Sequence, residues 1–291
     1  MTRFPTLRWV LGRWDALTLA AAMRAALALA VGLPAMTALL STGIADHPDG
    51  DHLLFDSGGM MLVEGVRLSL TAAPPVTKLT LLLAAGCVLL SLYPVSVMLV
   101  ALEDRDGRLG EALGRGLRRL PALFAIYGLC LLFQVMVFVA AAFAAAWAPQ
   151  QLAQTLGPAL ADAVGVLLLL FGVAINCASG VARDLAFAAA SRRPAALPAL
   201  LLGIGTLLAR PLSVGVDWAR LAAWQWVLVL GAAYCAGRFP AAPGWTLPLA
   251  AVTVSVLVGI TTLRGVWAAR CLVHASAAQP AAALQPAATM A

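Results

Sequence analysis

The chain has 291 residues, of which 62% are hydrophobic and only 11% charged, whereas globular domains average about 45–50% apolar and about 25% charged residues. Its 19 basic and 13 acidic residues are too few to hydrate the exterior of a soluble domain of this length, so the composition excludes that class. The net charge of +6 does not indicate a nucleic-acid partner, because the basic residues follow the connections between apolar segments.

Six apolar segments are close to the length of about 20 residues that a helix needs to cross a hydrocarbon core of about 30 Å. We predict membrane spans at 25–42, 77–101, 121–147, 159–181, 212–236 and 245–263. The first is too long for the apolar part of a typical signal peptide, so we expect an uncleaved span. The predicted fold is all-α: a polytopic transmembrane helical bundle forming one integral membrane domain over 1–275, with a disordered tail over 276–291.

Three further segments mix basic and apolar residues at helical spacing, which predicts amphipathic helices in the membrane interface. They cover 4–23, 103–120 and 182–209. In the second, Leu109, Leu113 and Leu117 recur along one face, and Glu111 lies four residues before Arg115. The apolar stretch 195–209 is short for a full span, so it spans, re-enters or lies on the membrane; we favour the surface position.

The distribution of basic residues orients these spans, since cytoplasmic connections carry the excess of Lys and Arg. With the N-terminus inside, fifteen of the 19 basic residues fall in the inward segments 1–24, 103–120, 181–210 and 264–291. All basic residues except Lys78 are arginines in an Ala- and Leu-rich background. Together with the charge distribution, this predicts a bacterial inner-membrane protein with both termini in the cytoplasm. The arginines expected to contact the anionic inner leaflet are Arg108, Arg115, Arg118, Arg119, Arg192 and Arg193.

The longest polar stretch, 43–75, carries the largest acidic group of the chain and falls on the outer side. Within it, His47, Asp49, Asp51 and His52 are ligand types suited to a divalent cation. Their spacing matches neither an EF-hand nor a zinc pattern, so the alternative is a solvated loop, and we expect no metal or other cofactor. The five cysteines are isolated and lack CxxC spacing, which indicates packing residues.

A few polar side chains fall within the predicted spans. Asp217 and Arg220 lie three residues apart, and an ionisable residue inside the membrane is by default a functional hypothesis. The alternative is that span 5 begins nearer Leu221 and the pair lies at the headgroups. Gln134 and Asn176 are the other candidates; such single polar residues usually bond one helix to another.

The layout of the chain resembles that of six-span bacterial membrane proteins related to the membrane domain of glycerophosphoryl diester phosphodiesterases. The resemblance rests on ADHPDGDHLLFDSGGMMLVEGVRL at 45–68, EDRDGRLGEALGRGLRRLPALF at 103–124 and VARDLAFAAASRRPAAL at 181–197. It implies a polytopic inner-membrane protein without an assigned reaction. The sequence holds no phosphodiesterase catalytic segment, so the resemblance does not imply that activity.

The sequence holds no P-loop, GxSxG or HExxH motif, so we expect a protein that is not an enzyme. The leading hypothesis is an accessory or scaffold protein that interacts with membrane lipid or with other membrane proteins. The alternative is a transporter, or a membrane subunit of one, with Asp217 and Arg220 in its polar path. A polar cavity at the midplane would favour transport, and a dry bundle would favour the scaffold.

Overall fold

A computed structural model describes residues 5–40, 67, 74–104, 106–192, 195–238 and 246–278. These residues form an all-α helical bundle without strands, which confirms the predicted fold class. The helices within the described ranges are α1 (Pro5–Leu11), α2 (Trp14–Leu40), α3 (Pro74–Leu90), α4 (Leu92–Glu103), α5 (Leu109–Leu156), α6 (Pro158–Ala190), α7 (Ala196–Ala209), α8 (Pro211–Arg238) and α9 (Thr246–Ala278).

Five helical segments are long and apolar enough to cross a membrane: Trp14–Thr37, Pro74–Glu103, Leu109–Thr155, Pro158–Ala190 and Leu247–Ala277. The number rises to six if α7 and α8 together form one broken span. These two helices meet at a bend of 97°. The described residues therefore have the composition and helix lengths of a multi-pass membrane protein.

The helices are longer than the hydropathy pattern predicted. Of the expected surface helix at 103–120, residues 109–120 form the first part of α5, which runs on through Pro121 and Pro149 to Leu156, whereas Glu103 is the last residue of α4. Transmembrane helices accommodate proline in this way when neighbouring groups satisfy the freed carbonyl. The helix ends at Gly157, whose φ of 79° lies in a region that favours glycine.

Three other expected boundaries also differ from the structure. The segment 182–190 continues α6, so only 196–209 forms a separate helix. The expected surface helix at 4–23 breaks at Gly12, and its second part is the beginning of α2. Helix α9 reaches Ala278, three residues into the segment expected to be disordered, and the remaining tail lies outside the described residues.

The chain divides into two compact units, Met1–Leu17 with Ser96–Ala291, and Thr18–Val95. The smaller unit contains most of α2, all of α3 and the start of α4. Hydroxyl groups of Thr37 and Thr80 donate to the carbonyls of Leu33 and Val76, one turn earlier. These bonds satisfy polar groups inside the helix, as an apolar environment requires.

The larger unit is organised around α6, against which α5, α7 and α9 pack. Helices α5 and α6 run antiparallel and approach closely where small residues face each other. A Cβ atom built on Gly172 would clash with the Cβ of Ala141, so only glycine allows this close approach. Small residues at helix contacts allow the close backbone approach that holds helices together in lipid.

The buried core of this unit lies toward one end of the helices. Every residue from Leu185 to Ser191 in and after α6 is buried, as are Val97 to Leu102 in α4. The middle of α5 and of α6 instead exposes large side chains such as Phe138 and Phe171. The membrane-length segments therefore extend from a tightly packed end with their apolar surfaces open to lipid.

Candidate functional site

The packed end of the larger unit also gathers most of its charged side chains, and we call this end the base. It consists of α1, the C-terminal ends of α4, α6 and α9, and the N-terminal ends of α5 and α8. Close contacts define it: Gly265 lies beside Val10 and Met98, and Gly116 lies beside Val97. The base is therefore where segments distant in sequence meet.

Arg13 lies at the centre of this arrangement, in the turn between α1 and α2. Its side chain is only 6% exposed. The Nη1 atom donates to the main-chain carbonyls of Ala101, at 2.7 Å, and Asp104, at 2.5 Å. The other guanidinium nitrogens donate to the carboxylate of Asp15 at 3.2 Å. Arg13 thus satisfies carbonyls at the end of α4 that have no partner within that helix.

The acidic residues at the end of α4 and just after it bind arginines of α5 and of the segment that follows α6. Glu103 pairs with Arg119 of α5 at 3.1 Å and with Arg192, just after α6, at 3.5 Å. Asp104 pairs with Arg115 at 2.5 Å. Three of the arginines expected to contact lipid are therefore already neutralised by carboxylates of the protein.

The ion pair between Arg115 and Asp104 changes the acidity of the carboxyl group. A hydrogen bond from Arg115 lowers the pKa of Asp104 below its usual value of 3.8, because it stabilises the charged form. Asp104 lies in the connection between α4 and α5, outside the apolar segments. At neutral pH the carboxylate is therefore ionised, and its ion pair with Arg115 holds the start of α5.

A second polar cluster joins α6 to α9 and α5. The indole Nε1 of Trp267 donates to Oδ2 of Asp184 at 2.8 Å. The neighbouring Arg183 pairs with Oδ1 of the same carboxylate, and its guanidinium carbon lies 5.6 Å from the ring centre of Tyr127. This distance is within the range of a cation–π contact. Asp184 therefore has partners on both oxygens.

Asp217, the candidate for a polar path, belongs to a third cluster. Its Oδ2 lies 3.3 Å from Nη1 of Arg270 and 3.3 Å from Nε2 of His274. Both partners belong to α9, so the carboxylate connects α8 to α9. Arg220, expected to act with Asp217, is exposed and makes no ion pair within the described part of the chain. The structure does not bring the two together.

Gln134 and Asn176 meet on the contact between α5 and α6. The Nε2 atom of Gln134 donates to the main-chain carbonyl of Asn176 at 3.3 Å. The side-chain Oδ1 of Asn176 is buried and has no hydrogen-bond partner among the described residues. Gln134 thus bonds one helix to another, and neither residue lies beside Asp217 in the contacts that the structure shows.

Two of the arginines expected to contact lipid remain unpaired. The side chains of Arg108, just before α5, and Arg118, within it, are exposed. Neither guanidinium makes an ion pair or hydrogen bond with another residue of the described ranges. Arg118 lies between Arg115 and Arg119 in sequence but does not share their acidic partners. The base therefore presents both neutralised and free arginines.

Several predicted site residues fall outside the described residues. They are Arg193 and the four candidates for cation binding, His47, Asp49, Asp51 and His52. Within the described ranges, no group of three or more His, Cys, Asp or Glu residues is arranged to hold a metal ion. The expectations for these positions stay predictions.

Sequence reasoning overlooked the residues that hold the base together. Arg13, Asp184 and Trp267 were not among the predicted site residues, although each makes a buried or half-buried polar contact between helices. A signal was present for Asp184, because a carboxylate beside an arginine at the end of a long apolar helix needs a partner. No pattern in the sequence distinguishes buried Arg13 from exposed Arg8.

Comparison with protein-family models, with curated proteins and with solved structures found no match to the chain.

Proposed function

We propose that this protein is a non-enzymatic accessory protein of the bacterial inner membrane that binds anionic lipid at the cytoplasmic surface through the free arginines of its base. The observation that carries the proposal is the division of the arginines of α5. Arg115 and Arg119 are paired with acidic residues, whereas Arg118 is exposed without such a partner among the described residues.

Electrostatics supports lipid as the partner of the free arginines. An arginine close to an anionic leaflet contributes about 1 kcal/mol to membrane association. A paired arginine contributes less, because its charge is already neutralised by a nearby carboxylate. Arg108 and Arg118 are therefore better candidates for lipid contact than Arg115, Arg119 and Arg192.

The proposed orientation follows from the same charges. The base holds most of the described arginines of the larger unit, including those of α1 and the turn after it, the start of α5, and the ends of α6 and α9. Because Lys and Arg are concentrated in cytoplasmic connections, we place the base at the cytoplasmic surface, with both termini on that side. Reporters fused to the N-terminal end of the full-length protein and at residue 278 should both report a cytoplasmic position, and a periplasmic signal from either contradicts this orientation.

Transport, the rival hypothesis, finds less support. A polar path needs side chains that converge on a cavity. Instead Asp217 is engaged by two residues of α9, and Gln134 bonds to the backbone of α6. These contacts are typical of polar residues that connect helices. The scaffold hypothesis accounts for them without a substrate.

Charge reversal tests the proposal on the full-length protein. The protein is extracted in a neutral detergent, and the phosphatidylglycerol that co-purifies is quantified by mass spectrometry. Arg118→Glu, alone and combined with Arg108→Glu, should reduce the retained lipid. Since each arginine contributes about 1 kcal/mol, loss of one should weaken lipid affinity about fivefold, and reversal should weaken it further.

Arg238→Glu provides the matched control. It makes the same change in net charge at the C-terminal end of α8, where the guanidinium of Arg238 lies 5.1 Å from the ring centre of Tyr234. The N-terminal end of this helix, by contrast, belongs to the base. This variant should retain as much phosphatidylglycerol as the unmodified protein. The proposal is contradicted if Arg118→Glu retains as much phosphatidylglycerol as both Arg238→Glu and the unmodified protein.

A further inference from the structure

Helix α7 presents two faces of opposite character. One face is packed: Ala199, Gly203 and Thr206 are buried, and a Cβ atom on Gly203 would lie 2.5 Å from the carbonyl oxygen of Ala182 in α6. The other face is open, and a Cβ atom on Gly205 would have no atom within 4 Å. Thus α7 is fixed to α6 on one side and open on the other.

The open face forms a groove of about 510 Å³, and ligand pockets commonly measure about 300–1,000 Å³. Its lining comes from α7 and includes Pro198, Leu201, Gly205 and Thr206, the last at the edge of the packed face, and one end is formed by Arg210. The 14 residues of α7 extend over about 20 Å at 1.5 Å per residue. This length is comparable with that of an extended fatty acyl chain.

The charge at the end of the groove is not neutralised within the described part of the chain. Arg210 is exposed, and its guanidinium makes no ion pair or hydrogen bond there. Helix α7 carries no acidic residue, and the first turn of α8 carries none. The acidic residue nearest in sequence, Asp217, is paired with Arg270 and His274.

We propose that this groove binds one anionic phospholipid, with its phosphate on Arg210 and an acyl chain along the apolar face of α7. Charge complementarity selects this occupant, because an apolar groove ending in an unneutralised guanidinium matches an acyl chain joined to a phosphate. The inference deepens the proposed function, on which it rests, by assigning a discrete site in addition to the surface around Arg118. The bend between α7 and α8 places the arginine at the end of the groove.

The test uses the full-length protein, delipidated in neutral detergent and titrated with dioleoylphosphatidylglycerol or dioleoylphosphatidylcholine. Native mass spectrometry counts the lipids bound to each chain. The unmodified protein should bind one phosphatidylglycerol at least tenfold more tightly than phosphatidylcholine. Arg210→Gln should remove that preference, and Gly205→Phe should block the groove without disturbing the packed face. Arg264→Gln removes an exposed arginine of α9 that has no ion pair among the described residues, and it should leave the preference intact.

The remaining outcomes separate this site from the wider lipid surface. In one outcome Arg210→Gln still prefers phosphatidylglycerol, while the variant with Arg108→Glu and Arg118→Glu retains less co-purified lipid. The groove assignment is then wrong and the proposed function stands. If Arg210→Gln loses the preference while that reversal has no effect, the groove stands and the wider surface is wrong. If Gly205→Phe changes the oligomeric state, measured by light scattering, and leaves lipid binding unchanged, the groove holds a second copy and the lipid assignment is overturned.

Discussion

The guanidinium of Arg13 lies 2.7 Å from the main-chain carbonyl oxygen of Ala101, a residue 88 positions later in the chain. Through this bond and a second one to the carbonyl of Asp104, one buried side chain connects the turn after α1 to the end of α4. The contact is structural, because both acceptors are carbonyls of the backbone.

Replacing Arg13 should therefore destabilise the base. Arg13→Met keeps the apolar part of the side chain but leaves two carbonyls without their donor. A hydrogen bond to a charged group contributes about 1.5–3 kcal/mol, so we expect a loss of about 2–3 kcal/mol in the free energy of unfolding. The measurement is thermal or denaturant unfolding in a neutral detergent.

Arg8→Met is the matched control for this prediction. Arg8 lies on α1, is exposed and has no ion pair among the described residues. Its replacement removes the same charge and should change stability by less than about 0.5 kcal/mol, as surface substitutions usually do. Equal losses for the two variants would show that Arg13 does not hold α4.

A comparison of two glycines in α7 tests how this helix is docked. Gly203→Ala places a methyl group against the backbone of Ala182, and overpacking of this kind costs about 1–3 kcal/mol. Gly205→Ala meets open space and should be neutral or stabilise the helix by up to about 1 kcal/mol, because alanine is the better helix former. Unfolding midpoints give both values. If Gly203→Ala is as stable as Gly205→Ala, α7 does not pack on α6 as described.

The connection between α8 and α9 can be measured with a double-mutant cycle on Asp217→Asn and Arg270→Gln. Arg270 is 35% exposed, so solvent screening reduces the strength of the pair. We expect a coupling of about 0.5–1 kcal/mol in the free energy of unfolding. A cycle with Arg264→Gln in place of Arg270→Gln should be additive. Zero coupling in the first cycle is the result that excludes the ion pair.

The lowered pKa of Asp104 predicts how its contribution depends on pH. Because the folded-state pKa lies below the usual 3.8, the carboxylate contributes to stability above that value and loses its contribution as the pH falls through the folded-state pKa. Unfolding midpoints of the unmodified protein and Asp104→Asn should therefore differ from pH 7 to about 4 and converge in stronger acid. The cause is the Arg115 hydrogen bond.

Two variants control this experiment. Asp106→Asn removes the same charge from a residue without an ion pair in the described ranges, so it reports the effect of net charge alone. Arg115→Gln should reproduce the behaviour of Asp104→Asn. If the unfolding midpoints of Asp104→Asn and the unmodified protein still differ by the same amount well below pH 3.8, the ion pair between Asp104 and Arg115 is not the cause of the difference.

The apolar segments identified the helical class from the sequence alone. They predicted six spans, whereas the described residues contain five helices of membrane length, or six if α7 and α8 together form one broken span. Hydropathy placed boundaries at polar residues such as Arg183, whereas α6 continues to Ala190. It does so because α5, α7 and α9 surround this segment, so tertiary packing and not local polarity determines where the helix ends. The alanines of 186–190 give little periodic signal, although all of them are buried.

The arginines show a second limit of sequence reasoning. Their number and position indicated one charged side, but Arg115, Arg118 and Arg119 look alike in sequence. Only the structure shows that two of them meet Asp104 and Glu103 while Arg118 does not. Partner choice depends on residues brought together from different helices. Likewise, Asp217 next to Arg220 suggested a local pair, yet its partners come from α9.

The division of the base arginines is tested most directly by measuring stability and lipid retention on the same four variants. Arg115→Gln and Arg119→Gln should lower the unfolding midpoint and retain phosphatidylglycerol as the unmodified protein does. Arg108→Gln and Arg118→Gln should keep the midpoint and lose lipid affinity, about fivefold each. The reverse pattern, with lipid lost from the Arg115 and Arg119 variants and retained by those of Arg108 and Arg118, would contradict the assignment of the free arginines to the membrane.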